Sequence, residues 1–319
     1  MFHDAKRQSH REAFHVYNMT APITFSKLSG SGNDFICLSN LDGRYDALRS
    51  DPRRVGDFAR VLCRRGLGIG ADGLVFACQP EIEGVADVSA HFMEPDGSES
   101  ELCGNGTACF VRFLLDGGLV SGAGPGHEIR ILTPAGVVRG RPVDGPYVRV
   151  CIPIPTDLQR NIELPVEGLS RPILCDFAVT GVPHAVVFVE DVERVDMPHL
   201  GPLLRYHPRF GPRGANINFV QVLGPGKLAI RTWEFGVEGE TLACGTGSAT
   251  AAVMAERRND WPAEFARGDA PIDLAVHGGD TLRVWLTRRD DVITDLCLDS
   301  AVRAVFHGTL AEEMVRRLV

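Results

Sequence analysis

Hydrophobic residues recur at helical spacing in several segments of the chain. Between 52 and 66 the apolar side chains fall on one face, and Gly66 can end the helix. Segments 104–115 and 245–257 are apolar on nearly every side, which is typical of buried helices. A short helix is predicted near 197–205. The two buried helices therefore begin directly after Cys103 and Cys244.

Short apolar runs bounded by glycine and proline predict strands elsewhere. Ordered structure is expected to begin at Ile23, and ITFSKLSGSGNDFICLSN predicts a strand, a Gly-rich turn and a strand. Further strands are predicted in LVFACQP and VSAHFMEPDG, near 129–132, 136–140 and 147–152, in CDFAVTGVPHAVVFVED, NINFVQVL and LAIRTWEFG, and near 272–275, 281–287 and 292–298.

The two halves of this pattern resemble each other. GSGNDFICL in the first half matches GVPHAVVFV in the second, and ELCGNGTACF matches LACGTGSATA. Cys103 and Cys244 lie 141 positions apart in a chain of 319 residues. An internal repeat of this kind indicates duplication of one unit of about 145 residues, which gives two domains of ordinary size.

The composition is that of a globular protein, with 44% apolar residues and a net charge of −8. An acidic balance argues against nucleic acid or an anionic membrane as a partner, because both bind basic surfaces. The chain contains no apolar run of 18 residues, so no membrane span is predicted. Residues 1–21 are polar and are expected to form a flexible extension rather than a signal peptide.

Nine cysteines are spread along the chain without C-x-x-C spacing, so neither a disulfide scaffold nor a zinc ribbon is predicted. A reducing, cytoplasmic location is expected. Seven of the nine are interpreted as small buried packing residues. Cys103 and Cys244 differ from these seven, because each precedes a Gly-polar-Gly sequence that opens a buried helix.

The N-terminus of a helix offers free N–H groups and a positive dipole end, which bind a carboxylate and lower the pKa of a thiol. Two such units suggest a cleft in which two activated thiols face one bound carboxylate. Inverting an amino-acid α-carbon needs a base on one face and an acid on the other, and a thiolate and a thiol can exchange these roles. The paired cysteines therefore predict epimerase chemistry.

At this point the chain closely resembles the diaminopimelate epimerase family, which is independent of pyridoxal phosphate and uses two cysteines. The resemblance rests on FSKLSGSGNDFICL, CRRGLGIGADGLVF, FMEPDGSESELCGNGTACFVRF, TGVPHAVVFVEDV, LGPLLRYHPRF, ANINFVQV and RTWEFGVEGETLACGTGSATAAV, nearly the whole chain from about residue 23. It implies an α+β fold of two pseudo-symmetric domains, each a curved mixed sheet or barrel around a central helix, with the active site between them.

The implied domains are 22–148 and 149–297, with segment 298–319 returning to the first. By resemblance Cys103 and Cys244 are the acid/base residues, His184 is paired with Cys103, and Glu234 is paired with Cys244. The implied substrate contacts are Asn33, Asn216, Gly104, Asn105, Gly245 and Thr246. The resemblance implies an amino-acid substrate, no cofactor, no metal and a homodimer.

Three positions depart from the family pattern where the family holds the second amino-acid head of diaminopimelate. Phe235 replaces the arginine of the ERG motif, Val182 replaces the asparagine of GNPH, and Glu94 replaces the asparagine of FNADGSE. A distal carboxylate facing Glu94 without the arginine would be unpaired and repelled.

Two substrates therefore remain open. One is diaminopimelate, if Arg231 or Arg139 supplies the missing charge. The other is an amino acid with a cationic side chain, namely lysine, ornithine, arginine or histidine, held by Glu94 and stacked on Phe235. A binding protein that lost catalysis and a cysteine hydrolase using Cys244 are the alternatives to an epimerase.

Overall fold

The structure is a computed structural model that describes residues 22–100, 102–120 and 127–318. The predicted extension 1–21 lies outside the described residues. No described helix is long and apolar enough to cross a membrane.

The first half of the chain contributes eight strands. They are β1 (Thr24–Gly30), β2 (Asn33–Asn40), β3 (Gly73–Cys78), β4 (Val88–Met93), β5 (Glu99–Ser100), β6 (Ile129–Thr133), β7 (Gly136–Pro142) and β8 (Tyr147–Cys151).

The second half contributes nine more strands. They are β9 (Thr156–Leu164), β10 (Ile173–Thr180), β11 (Val182–Phe188), β12 (Asn216–Gly224), β13 (Lys227–Glu234), β14 (Gly239–Thr241), β15 (Ile272–Val276), β16 (Thr281–Arg289) and β17 (Val292–Thr309).

The α-helices lie between these strands and at the end of the chain. They are α1 (Asp46–Arg49), α2 (Pro52–Cys63), α3 (Gly104–Asp116), α4 (Met197–Arg205), α5 (Gly245–Arg258), α6 (Ala263–Arg267) and α7 (Glu312–Leu318), with 3₁₀ turns at Val192–Arg194 and Pro208–Phe210.

Strand pairing repeats in the two halves. In the first, β1 and β2 are antiparallel, β2 and β3 are parallel across α2, and β4 and β6 are parallel across α3. In the second, β10 and β11 are antiparallel, β11 and β12 are parallel across α4, and β13 and β15 are parallel across α5. Each parallel pair needs a crossover, and a helix provides it each time. This repetition confirms the predicted fold class.

The long strand β17 belongs to both halves. Its first part pairs with β16, and its last part pairs with β1. Together with β8, it closes a ring of eight strands, β1-β2-β3-β4-β6-β7-β8-β17. The chain thus crosses between its halves only twice among the described residues, near β8–β9 and along β17. The boundaries 22–148 and 149–297 remain predictions.

Helices α3 and α5 occupy the centres of the two halves. Their side chains are buried on nearly all sides, as the apolar pattern predicts. The amphipathic α2 instead packs one face beside β3 in a separate core. It ends at Cys63 rather than at Gly66, because Arg64 already has an extended conformation.

The interpretation of the other seven cysteines as packing residues is wrong for two of them. Cys151 on β8 and Cys297 on β17 are direct partners in the antiparallel register and form a disulfide. This bond joins the two strands at which the chain crosses between its halves. The remaining five are free and buried: Cys37, Cys63, Cys78, Cys109 and Cys175.

Candidate active site

The N-termini of α3 and α5 meet between the two halves. Each helix follows a short hairpin strand, and its preceding residue, Cys103 or Cys244, is extended. A Cβ atom on Gly104 would lie 3.9 Å from the Cα atom of Gly245, so the two helix starts are almost in contact. Glycine at both positions permits this approach. The fold therefore places the two predicted thiols on facing helix ends.

Both thiols are free, and burial dominates their ionisation. Burial raises the pKa of Cys103 to about 12, although the Gly106 N–H, 3.4 Å from its Sγ atom, favours the thiolate. Burial also raises the pKa of Cys244, and the nearby charge of Glu234 raises it further. The expectation that the helix ends lower both thiol pKa values is wrong, because desolvation outweighs the N–H groups.

His184 is fully buried at the end of β11 that faces α5. The Asn218 side-chain amide donates to its Nδ1 atom at 3.3 Å, so Nε2 carries the proton and donates to the Thr246 hydroxyl at 3.0 Å. Thr246 in turn lies 3.7 Å from the Sγ atom of Cys244. Burial lowers the pKa of His184 to about 3, so the ring is neutral.

The ring of His184 is therefore linked through Thr246 towards Cys244. Its hydrogen bonds among the described residues go to Thr246 and Asn218 and not to Cys103. Pairing of His184 with Cys103 stays a prediction.

Glu234 ends strand β13 beside Cys244. Burial raises the pKa of its carboxyl from 4.5 to about 7, and the negative charge of Glu94 acts in the same direction. A side-chain hydrogen bond with Cys244 acts in the opposite direction on the pKa of Glu234 and joins the two groups. A carboxyl with a pKa near neutrality can exchange a proton with a neighbouring group at physiological pH.

Two predicted substrate contacts, Asn33 and Asn105, are hydrogen-bonded to each other. The Asn105 amide donates to the Asn33 carbonyl oxygen at 2.7 Å, and the Ser300 hydroxyl donates to the Asn105 carbonyl oxygen at 3.3 Å. The Asn33 amide donates to the Asp72 carboxylate at 3.4 Å. The Arg65 guanidinium also donates to that carboxylate, at 2.7 Å, and holds it in place. Residues from two strands, one helix and the loop between α2 and β3 thus orient these amides towards the helix ends.

Asn216 lies apart from this network. It is beside Val182 and Phe235, two of the positions that depart from the family pattern. Its side-chain oxygen accepts the Phe235 backbone N–H at 2.6 Å. Val182, Arg213, Asn216 and Phe235 line one small cavity. Glu94 stands on the opposite half, and its charge acts on both Glu234 and Cys103.

Sequence reasoning missed Asn218, which holds His184. Besides contacting the imidazole, Asn218 donates to the Ala185 carbonyl at 3.0 Å and accepts from Thr232 at 3.0 Å. A signal was present, because residues two apart on a strand share a face, and Asn218 follows Asn216 by two. Asp72 was missed because only the fold brings it beside Asn33.

Comparison with known proteins identifies the family of the chain. The family model described as diaminopimelate epimerase matches residues 25–141 and 177–292, which are the two repeated regions. The chain belongs to the diaminopimelate epimerase family.

Curated members match over most of their length. The diaminopimelate epimerase of Aquifex aeolicus is 35% identical over 299 residues, covering 92% of this chain and 99% of the relative. That of Methanothrix thermoacetophila is 40% identical over 243 residues, covering 74% and 81% respectively. The chain is therefore an isomerase of the amino-acid epimerase type.

Solved structures share the fold at low identity. A probable proline racemase from Agrobacterium radiobacter, with bound carbonate, superposes with a TM-score of 0.66 at 16% identity, covering 91% of this chain and 93% of that one. A hydroxyproline epimerase from Agrobacterium vitis, with bound trans-4-hydroxy-L-proline, gives 0.66 at 16% identity, with 91% and 92% covered.

Proposed function

We propose that this epimerase inverts the α-carbon of an amino acid with Cys103 and Cys244 as its two acid/base groups, one on each face of the substrate. The observation that carries the proposal is the meeting of two helix N-termini, each opened by a thiol. A single activated thiol would suffice for a nucleophile, whereas inversion needs two groups of the same kind on opposite faces.

In one direction the thiolate of one cysteine removes the Cα proton. The electron pair of the broken C–H bond passes into the α-carboxylate, and the thiol of the other cysteine gives its proton to the opposite face. The product is the epimer, and the two cysteines have exchanged protonation states. Backbone N–H groups at the helix starts would bind the carboxylate as its charge grows. These N–H groups belong to Gly104, Asn105, Gly245 and Thr246.

The thiolate must form when substrate binds, because burial keeps both thiols protonated without it. The substrate's α-ammonium brings a positive charge into the cleft, and a positive charge lowers the pKa of a neighbouring thiol. Glu234 lies beside Cys244 with a pKa of about 7 and is suited to accept the proton. His184, neutral and hydrogen-bonded to Thr246, orients that hydroxyl towards Cys244.

The test is inversion in D₂O followed by NMR and chiral chromatography. LL-diaminopimelate is the reference substrate, since the curated relatives carry that name. The proposal expects deuterium at the α-carbon of the epimer formed, and none in the substrate recovered early in the reaction. Transfer of the original proton to the product would contradict two separate bases. Absence of exchange with every amino acid offered would favour a binding protein.

A further inference from the structure

The turn between β1 and β2 reaches from the first half of the chain to the second. A Cβ atom on Gly32 would lie 2.8 Å from the Cβ atom of Leu242, on the segment that leads into α5. Beside this contact, the Asn105 side-chain amide donates to the Asn33 carbonyl oxygen at 2.7 Å and to the Ala243 backbone carbonyl at 3.5 Å. One amide at the start of α3 thus joins the start of β2 to the segment that leads into α5.

Asp72 decides which way these amides face. A side-chain amide has one accepting oxygen and one donating nitrogen, whereas an ionised carboxylate only accepts. Because Asp72 accepts from the Asn33 nitrogen at 3.4 Å, the Asn33 oxygen must face Asn105, which must present its nitrogen in turn. The Asn105 oxygen then faces the Ser300 hydroxyl, which donates to it at 3.3 Å. The same oxygen lies 3.4 Å from the position that a Cβ atom on Gly245 would take, at the start of α5.

Asp72 itself is held by a group of charged side chains. The Arg65 guanidinium donates to the Asp72 carboxylate at 2.7 Å and to the two oxygens of Asp34 at 2.7 and 3.0 Å. The two aspartates also accept each other's backbone N–H groups, at 2.9 and 3.1 Å. Lys27, which is buried, pairs with Asp34 at 2.9 Å. Arg65 is the most exposed member of this group, with 60% of its side chain accessible, so a substitution there leaves the core closed.

We propose that Asp72 and Arg65 are positioning residues, which fix the direction of two amides and thereby hold the two helix starts in place around the substrate. The inference rests on the proposed function, because the helix starts matter only if their N–H groups bind the substrate carboxylate. An amide at position 72 can donate as well as accept, so the Asn33 side chain can then reverse. Asn105 would have to reverse with it, and its oxygen would face the Ala243 carbonyl, where two acceptors repel each other.

Asp72→Asn tests the direction of the amides while keeping the size of the side chain. Inversion is measured on whichever of LL-diaminopimelate, lysine, ornithine, arginine and histidine the parent inverts fastest. The variant is expected to lose about 100-fold in kcat, because a small misplacement of the helix starts is felt at the reacting carbon. KM is expected to change by less than about threefold, because the charge on the carboxylate grows only towards the transition state.

Three arginine variants separate positioning from stability. Arg65→Gln removes the ion pairs and is expected to lower kcat by about tenfold. Arg65→Lys keeps a positive donor for Asp72 and is expected to restore kcat to within about threefold of the parent. Arg64→Gln makes the same change at the neighbouring exposed arginine, whose side chain has no ion pair among the described residues, and is expected to stay within about twofold. Urea unfolding shows that each variant is folded in the assay.

The outcomes distinguish the inference from the proposed function. A purely structural role would lower the unfolding free energy of Arg65→Gln and leave the kcat of the folded protein unchanged. That result, or a kcat of Asp72→Asn within about threefold of the parent, would overturn the inference and leave the proposed function intact. Absence of inversion by the parent on all five amino acids would contradict the proposed function, and the inference with it.

Discussion

Glu234 is expected to lower the stability of the protein at neutral and alkaline pH. In the folded chain burial raises its pKa from 4.5 to about 7. Below pH 4.5 the carboxyl is protonated in both the folded and the unfolded chain. Between 4.5 and 7 the unfolded chain loses this proton and the folded chain keeps it, so unfolding becomes progressively more favourable. Above about pH 7 both states are ionised, and the loss stays constant.

The structure sets the size of this effect. At about 1.4 kcal/mol for each pH unit between the unfolded and folded pKa values, burying Glu234 costs about 3 kcal/mol at pH 8. Glu234→Gln keeps the size and the hydrogen-bonding groups of the side chain and removes its titration. The variant is therefore expected to be more stable than the parent by about 3 kcal/mol at pH 8, and by less than about 1 kcal/mol at pH 5.

Urea unfolding followed by circular dichroism at pH 5, 6, 7 and 8 measures this difference, provided that the m value, the slope of the unfolding free energy with urea concentration, is the same for the variant and the parent. Glu83→Gln, which removes a carboxylate at an exposed site, is the matched control, and Glu234→Gln is expected to gain stability over it as the pH rises. The reasoning is refuted if the advantage of Glu234→Gln does not grow between pH 5 and 7. Together with the loss of epimerase activity expected of this variant, a positive result would show that the residue is retained for function.

Three other expectations concern the helix ends, the thiols and the crossing strands. A Cβ atom on Gly247 would lie 2.3 Å from the side-chain oxygen of Asn218. Gly247→Ala is therefore expected to displace Asn218 and to lower kcat by more than about tenfold. Gly224→Ala, where the added Cβ atom would meet open space, is expected to leave kcat unchanged. Because Glu234, with a pKa of about 7, is suited to accept the thiol proton, kcat/KM is expected to rise with pH up to about 7 and to level off above it. A rise that continues unchanged to about pH 9 would argue against this role of Glu234. The disulfide joins residues that lie 146 positions apart. Without reductant, Cys151→Ser is expected to lower the free energy of unfolding, measured with urea, by up to about 5 kcal/mol. With dithiothreitol present, the variant is expected to match the parent.

The elements that the sequence predicted best are those whose pattern is local. Helices α3 and α5 could be predicted because each begins directly after a cysteine with a largely apolar segment. In the structure each helix is only one residue longer than predicted. Strand β9 was missed because its side chains are mostly polar and partly exposed, so no alternation marks it. Its conformation depends on pairing with β10.

The site was predictable where one residue type carries the chemistry and not where the fold brings residues together. The cysteine pair could be inferred from its repeated Gly-rich surroundings. The disulfide between Cys151 and Cys297 could not, since it depends on the register of β8 against β17. The ionisation of the thiols was predicted in the wrong direction because burial, which the sequence does not display, outweighs the helix dipole.

The most direct test of the two-thiol account is the rate of inversion in Cys103→Ala, compared with Cys109→Ala. Cys103 is the residue that precedes α3 and Cys109 lies within the helix, but Cys109 is buried away from the cleft in the core around α3. Chiral chromatography of the product measures inversion for each variant on the same substrate. The account predicts that Cys103→Ala loses inversion by at least about 1000-fold while Cys109→Ala retains it. Inversion by Cys103→Ala within tenfold of the parent rate would contradict the account.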